Sequence, residues 1–221
     1  MGNRDSKWYE PDKIIKDLIW DDLLFSANYA KGKMLDVGCG NKPYYKIFKN
    51  KIDSYVGIDK FNKNANIKND FLKVKIAINS YDTVLCTQVL EHVEDPQELL
   101  NKINKVLKKD GILIMTVPFI GSLHEIPNDY YRFTKYSISK LLQKTGFKII
   151  YMKEEGNWIS SISNLTCFYL ESTFNRFLLR YPKKILIVMI QFLFYVFSLL
   201  PERITKPEFC PINYIVIAIK K

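Results

Sequence analysis

Two closely spaced glycines and the carboxylates around them are the first residues in this chain that could do chemistry. In KMLDVGCGNKPYYKIFKNKIDSYVGID, Lys33 to Asp59, one apolar run ends in Gly38 and Gly40, and a second, Tyr55 to Ile58, ends in Asp59. Glycine lets the backbone approach a ligand closely, and an acid roughly 20 residues beyond such a turn is placed to accept ribose hydroxyl protons. A pyrophosphate-binding turn wants a third glycine and free N–H groups at the helix start, but Pro43 stands there and removes a donor. The spacing therefore points to a ligand with a ribose and no pyrophosphate. Asp36, near the end of the first run, suits a cationic ligand or its ammonium group.

Further on, GSLHEIPNDYYRFTKYS packs His124, Glu125, Asp129, Tyr130, Tyr131 and Arg132 into one loop, a density of polar and aromatic groups that a plain connection does not need. Zinc-like spacing is absent. Cys39, Cys86, Cys167 and Cys210 are scattered, only His92 and His124 supply imidazole, and the expectation is no metal site and reduced thiols.

Four blocks, DVGCGNKPY, GIDK, YDTVLCTQVLEHVEDP and LKKDGILIMTVPF, occur in that order between about Met34 and Lys153. Together they resemble the motifs of class I S-adenosylmethionine-dependent methyltransferases. The resemblance implies an α/β fold, a doubly wound seven-stranded Rossmann-like sheet, with S-adenosyl-L-methionine as cofactor. It also implies a donor site made by Asp36, Gly38, Gly40, Asp59, Asp70, Phe71 and Gln88, with Asp70 bonding the adenine amino group beside the ring of Phe71. The His124 loop resembles the HExPxDYxRFT-type loop of methyltransferases of surface-polysaccharide and other glycan biosynthesis. On that likeness His124 is the first candidate base and Asp129 the second, and Tyr130, Tyr131 and Arg132 face the acceptor. His92 is expected to be structural or part of the cofactor wall.

The elements that must position these residues can be read from pattern. Tyr81 to Thr87 and Ile112 to Val117 are buried strands, Asn66 to Lys68 a short third strand, and Phe147 to Lys153 pairs antiparallel with Asn213 to Ile219. Asp95 caps a helix with Pro96 at its first position and Glu98 at the capping-box site, and Leu99, Leu100, Ile103, Val106 and Leu107 form its core face. Thr134 caps the next helix and Gly146 closes it. A leading amphipathic helix carries Ile14, Ile15, Leu18, Ile19 and Phe25.

The expected organisation is a helical cap over 1–32, a methyltransferase core over 33–156, an apolar helical insertion over 157–210, and a last core strand over 211–221. A helix is expected from Trp158 to Tyr181. Ile185 to Leu200, ILIVMIQFLFYVFSLL, has no formal charge, yet at 1.5 Å per residue its length of about 24 Å falls short of a bilayer's hydrocarbon core. Both flanking strands belong to one sheet, so a single crossing is topologically excluded. The run is expected to meet a membrane as a hairpin, a re-entrant segment or a helix lying in the interface, or else to serve as a lid or homodimer surface. From Ser161 onward eight basic residues face three acidic ones, so half of the net charge of +10 falls in just over a quarter of the chain, its most apolar part. That favours a membrane surface over nucleic acid as the anionic partner. The charged N-terminal segment lacks the apolar stretch of a secretory leader, and the cytoplasm, at the inner membrane face, is the expected setting.

The reading is thus O-methylation of a sugar or lipid-linked glycan hydroxyl. Its rivals are a methyltransferase of a lipid or quinone-like small molecule, a non-catalytic partner subunit with the same fold, and an RNA methyltransferase.

Overall fold

The computed structural model describes residues 7, 9–173, 180–198 and 202–221. Part of the expected Trp158 to Tyr181 helix (174–179) and the end of the apolar run (199–200) lie outside the described residues.

Six strands, β1 (Lys33–Val37), β2 (Ser54–Ile58), β3 (Tyr81–Thr87), β4 (Leu107–Pro118), β5 (Phe147–Glu155) and β6 (Asn213–Lys220), form one sheet in the order β2-β1-β3-β4-β6-β5. The pairs β1·β2, β1·β3 and β3·β4 are parallel. These strands read as near-continuous apolar runs because helices cover both faces of a parallel sheet. Met34, Leu35, Val84, Leu85, Leu113 and Ile114 are accordingly fully buried. β5 and β6 run antiparallel: Lys221 N–H donates to Gly146 O at 3.1 Å, and Ile212 N–H to Glu155 O at 2.9 Å.

The sheet has six strands where seven were expected. Of the segment Asn66 to Lys68, Ile67 alone pairs, as a single parallel bridge to Ile58. The polar residues around it turn their side chains onto backbone instead. Asn66 Oδ1 accepts from Gly57 N–H at 2.9 Å, Asn69 Oδ1 from Asp70 N–H and Asp70 Oδ1 from Leu72 N–H. Such local bonds compete with a ladder.

The helices are α1 (Lys13–Ser26), α2 (Tyr45–Phe48), α3 (Pro96–Val106), α4 (Lys135–Lys144), α5 (Trp158–Thr173), α6 (Arg180–Ser198) and α7 (Glu202–Thr205). α3 starts at its Asp95 and Pro96 signals but without the reciprocal bond expected of Glu98, and it ends at Val106, so Leu107, expected on its core face, opens β4 instead. Asp95 accepts from Gln97 and Glu98 N–H, Pro96 opens the helix, and Leu99, Leu100, Ile103 and Val106 are buried. α4 begins with a reciprocal cap in which Thr134 and Ser137 bond each other's backbone N–H.

The chain divides into two compact units. One comprises Asp22–Pro118, His124–Lys153 and Tyr214–Lys221, and contains most of the sheet. The other comprises the segment before Asp22 with Phe119–Leu123 and Glu154–Asn213. In the latter, α5 and α6 pack through Cys167, Leu170, Ile187 and Ile190. Two polar groups of α6 point inward: Lys183 is buried and pairs with Glu171 at 2.9 Å, and buried Gln191 donates to Glu10 O at 2.7 Å. Its outer face is hydrocarbon, with Ile185, Leu186, Met189, Phe192, Leu193 and Phe197 all exposed. Among the described residues no helix is long and apolar enough to cross a membrane.

Inside the first unit one charge is buried between β1 and β2. Asp36, on β1, is 1% exposed and accepts a bond from the hydroxyl of Tyr55, on β2, while its other oxygen has no hydrogen-bond partner. Burial, together with the nearby charge of Asp59, pushes its carboxyl up to about 7 against the opposing effect of Tyr55. Across the interval from about pH 4 to 7 the folded chain therefore keeps a proton that the unfolded chain has lost, and stability falls as pH rises through that interval. Asp36→Asn is expected to remove this dependence. The loss of stability from about pH 5 to 8 is expected to shrink in the variant by on the order of 2 kcal/mol when denaturant midpoints are compared, with the slope that remains belonging to the chain's other buried acid, Glu91. Asp95→Ala is expected to cost about 1 kcal/mol by the same measurement, through loss of the α3 cap.

Candidate active site

The sheet order reverses between β1 and β3, which are neighbours in space although β2 lies between them in the chain. Ligands of open α/β sheets bind outside the carboxyl ends of strands at such a point. A cleft of about 890 Å³ opens there, lined by Gly38, Gly40, Asp59, Asp70, Phe71 and Gln88 among others. These are six of the seven residues expected at the donor site. Asp36 is not among the lining residues, being committed to Tyr55 behind the wall.

Gly38 has φ +70°, and a Cβ there would run into the Cγ2 of Val89. Gly40 has φ +47° with open space where its Cβ would stand, so backbone, not side chain, faces the cleft. Its N–H donates to Asp59 Oδ2 at 3.0 Å, while Asp59 Oδ1 accepts from Phe61 and Asn62 N–H, each at 2.8 Å. Three of the roughly four acceptor positions of that carboxylate are thus taken, which leaves Oδ2 able to receive one ribose hydroxyl. Asp70 spends one oxygen on Leu72 N–H, and Phe71 presents an apolar wall with Lys102 over its ring at 5.2 Å. Gln88 adopts φ +53° at the end of β3 and donates from Nε2 to Thr116 Oγ1. A small glycine turn, a hydroxyl-accepting acid, and an acid beside an aromatic ring fit S-adenosylmethionine in both size and chemistry.

The other end of the cleft is formed by His92, Glu94, Glu125, Asn128 and Tyr130. Tyr130 donates its hydroxyl to Glu94 Oε1 at 3.3 Å and Asn128 Oδ1 at 3.2 Å. Tyr131 instead bonds the carbonyl of Glu94 and stacks on Phe133. Arg132 forks onto Asp129 through Nη1 to Oδ1 at 2.6 Å and Nη2 to Oδ2 at 2.8 Å. That guanidinium holds the Asp129 carboxyl well below the usual carboxylate range, with the His124 N–H helping. A carboxylate so stabilised is a poor proton acceptor, so Asp129 is a loop clamp and not a base, and neither Tyr131, Arg132 nor Asp129 is among the residues lining the cleft.

His124 also stands outside the lining residues. Its Nδ1 lies 3.5 Å from Asp129 Oδ2, and its ring meets that of His92 edge-on at 4.7 Å between centroids. His92 Nδ1 is 2.8 Å from Asn128 O. A carbonyl only accepts, so the His92 proton sits on Nδ1 and Nε2 carries the lone pair. Nε2 is 3.8 Å from Glu91 Oε1 and 4.0 Å from Glu125 Oε2. Glu91, in the single 3-10 turn Leu90–His92, is fully buried, and burial pushes its carboxyl up to about 8. Sequence reading passed over Glu91, although an acid directly beside His92 at a strand end was the available signal.

A family profile described as a methyltransferase domain matches residues 12–152. An uncharacterized protein of Methanocaldococcus jannaschii is 36% identical over 147 residues, covering 61% of this chain and 65% of its own length, just under two thirds. A ubiquinone biosynthesis O-methyltransferase of Rickettsia bellii is 26% identical over 174 residues, covering 62% of this chain and 72% of its own. Among solved structures, a SAM-dependent methyltransferase from Archaeoglobus fulgidus superposes with a TM-score of 0.59 at 19% identity, over 95% of this chain and 97% of that one. A phosphoethanolamine N-methyltransferase of Haemonchus contortus, in complex with S-adenosyl-L-methionine, does so with a TM-score of 0.55 at 16% identity, over 90% and 52%. With the profile covering well over half of the sequence and the cleft at the reversal of strand order, the chain belongs to the family of S-adenosylmethionine-dependent methyltransferases.

Proposed function

We propose that the chain transfers a methyl group from S-adenosylmethionine to a hydroxyl of an uncharged, phenol-like or quinone-like small molecule. The observation that carries this reading is the acceptor end of the cleft. Its lining residues His92, Glu94, Glu125, Asn128 and Tyr130 include two carboxylates and neither lysine nor arginine. A lipid-linked glycan brings phosphates, which this wall repels. A neutral hydroxyl meets hydrogen-bond acceptors and an aromatic ring instead. The Rickettsia bellii relative, whose name states O-methylation in ubiquinone biosynthesis, supports the same choice. Sugar methylation, favoured by the loop motif, is the second reading, and it applies to an acceptor without phosphate.

When bound, the cofactor supplies an electrophilic methyl on sulfonium. The chain's own part is alignment: Asp59 and Gly40 fix the ribose end, Asp70 and Phe71 the base, and Tyr130 with Asn128 and Glu94 the acceptor oxygen. The exposed hydrocarbon face of α6 supports contact between the second unit and a lipid surface, where apolar acceptors partition.

Asp59→Asn is expected to weaken S-adenosylhomocysteine binding by 10- to 100-fold, roughly one charge-assisted hydrogen bond, by calorimetric titration. An unchanged affinity would remove the donor-site assignment. With labelled donor, an alkyl catechol is expected to be methylated and a nucleotide sugar not. The reverse preference would overturn the acceptor reading in favour of the glycan.

A further inference from the structure

We propose that Glu91, His92 and His124 form a binding site for one first-row divalent transition-metal ion beside the acceptor end of the cleft. The three side chains each offer a ligand atom, and these atoms lie within 4.8 Å of one another. They come from two places in the chain: the 3-10 turn after β3 supplies Glu91 and His92, and the loop after β4 supplies His124.

The supporting groups are those a metal site requires. An imidazole that binds an ion through one nitrogen is usually oriented by an acceptor on the other. His92 has such an acceptor in Asn128 O at 2.8 Å, which leaves Nε2 facing Glu91. His124 has the Asp129 carboxylate 3.5 Å from Nδ1, and Asp129 is itself fixed by Arg132. The independent observation is Glu91. It is 0% exposed, and neither carboxylate oxygen has a hydrogen-bond partner. The Arg132 guanidinium acts on Glu91 from a distance but gives its Nη1 and Nη2 donors to Asp129, and a buried carboxylate without a donor is relieved further by a cation or a proton. The turn also has reason to hold its shape, since Glu91 O accepts from Tyr130 N–H at 2.9 Å and Tyr131 N–H at 3.3 Å.

Two imidazoles and one carboxylate, with Glu125 Oε2 4.0 Å from His92 Nε2 as a further oxygen, suit Zn²⁺, Fe²⁺ or Co²⁺ better than Mg²⁺, which prefers an all-oxygen shell. Three protein ligands leave a position open. His92 and Glu125 also line the cleft, so the open position can take an acceptor oxygen. On the reading given above, which this inference rests on, the ion makes the acceptor hydroxyl more acidic. The O–H proton passes to exposed Glu125 and on to solvent. The oxygen lone pair then forms the O–CH₃ bond, and the S–CH₃ bond breaks with its electron pair on sulfur. No group changes oxidation state except by this transfer of methyl between nucleophiles.

The test is calorimetric titration of chelator-treated full-length protein with Zn²⁺, and separately the visible spectrum of the Co²⁺-loaded protein. One equivalent is expected to bind with micromolar affinity or better, weakened at least tenfold in Glu91→Gln and in His124→Ala. His124 is exposed on its loop, so its variant is expected to stay folded even if the buried Glu91→Gln change destabilises the chain, and thermal unfolding checks both. No binding by folded parent protein, or unchanged binding in both variants, would overturn the site and leave Glu91 as a buried protonated acid. S-adenosylhomocysteine titration of the same chelator-treated samples separates the two readings. Loss of that binding counts against the donor site, whereas its persistence without Zn²⁺ binding removes the ion alone.

Discussion

The carboxylate of Asp59 ties two pieces of backbone together through three N–H groups. It receives Gly40 N–H from the turn after β1 and the N–H groups of Phe61 and Asn62 from the segment after β2. The backbone at Gly40 and the position of Phe61 to Asn62 at the cleft are both tied to it. An acid first read as a ribose acceptor is therefore also the fastener of the loop that shapes its own site. The turn is held by three of the carboxylate's lone pairs, and the fourth is the one that the proposed donor would use.

This double use explains what could be read from the sequence and what could not. Local signals were explicit wherever one residue type solves one backbone problem: Asp95 with Pro96 at the start of α3, Thr134 at α4, and the apolar runs of β1 and β3. The positions of Gly38, Gly40, Asp59, Asp70, Phe71 and Gln88 around one cleft followed from strand order, which a resemblance carries. Asp36 did not follow, because its partner Tyr55 lies on another strand and spacing says nothing about cross-strand burial. Asp129 differs, because its partner is close in sequence but spacing does not reveal the pairing. An acid in a polar loop resembles a base until the guanidinium three residues on is seen forked onto it. The Asn66 to Lys68 strand dissolved into side-chain bonds that propensity alone does not weigh.

The least legible part was the grouping of Glu91, His92 and His124. Two of them are adjacent in sequence, yet the third is more than 30 residues away, and no regular ligand spacing links them. What joins them is the fold: the turn after β3 and the loop after β4 rise from neighbouring parallel strands, so their tips share one edge of the sheet.

α6 reverses the usual polarity of a surface helix. Lys183 and Gln191 are locked against protein partners, while Ile185, Leu186, Met189, Phe192, Leu193 and Phe197 look outward. Colloidal behaviour and internal packing are consequently governed by opposite sides of one helix. Polar substitutions on the outer arc would alter how the chain meets its surroundings with little disturbance of what lies beneath, whereas an apolar residue in place of Lys183 or Gln191 would remove the ion pair to Glu171 or the side-chain bond to the Glu10 carbonyl.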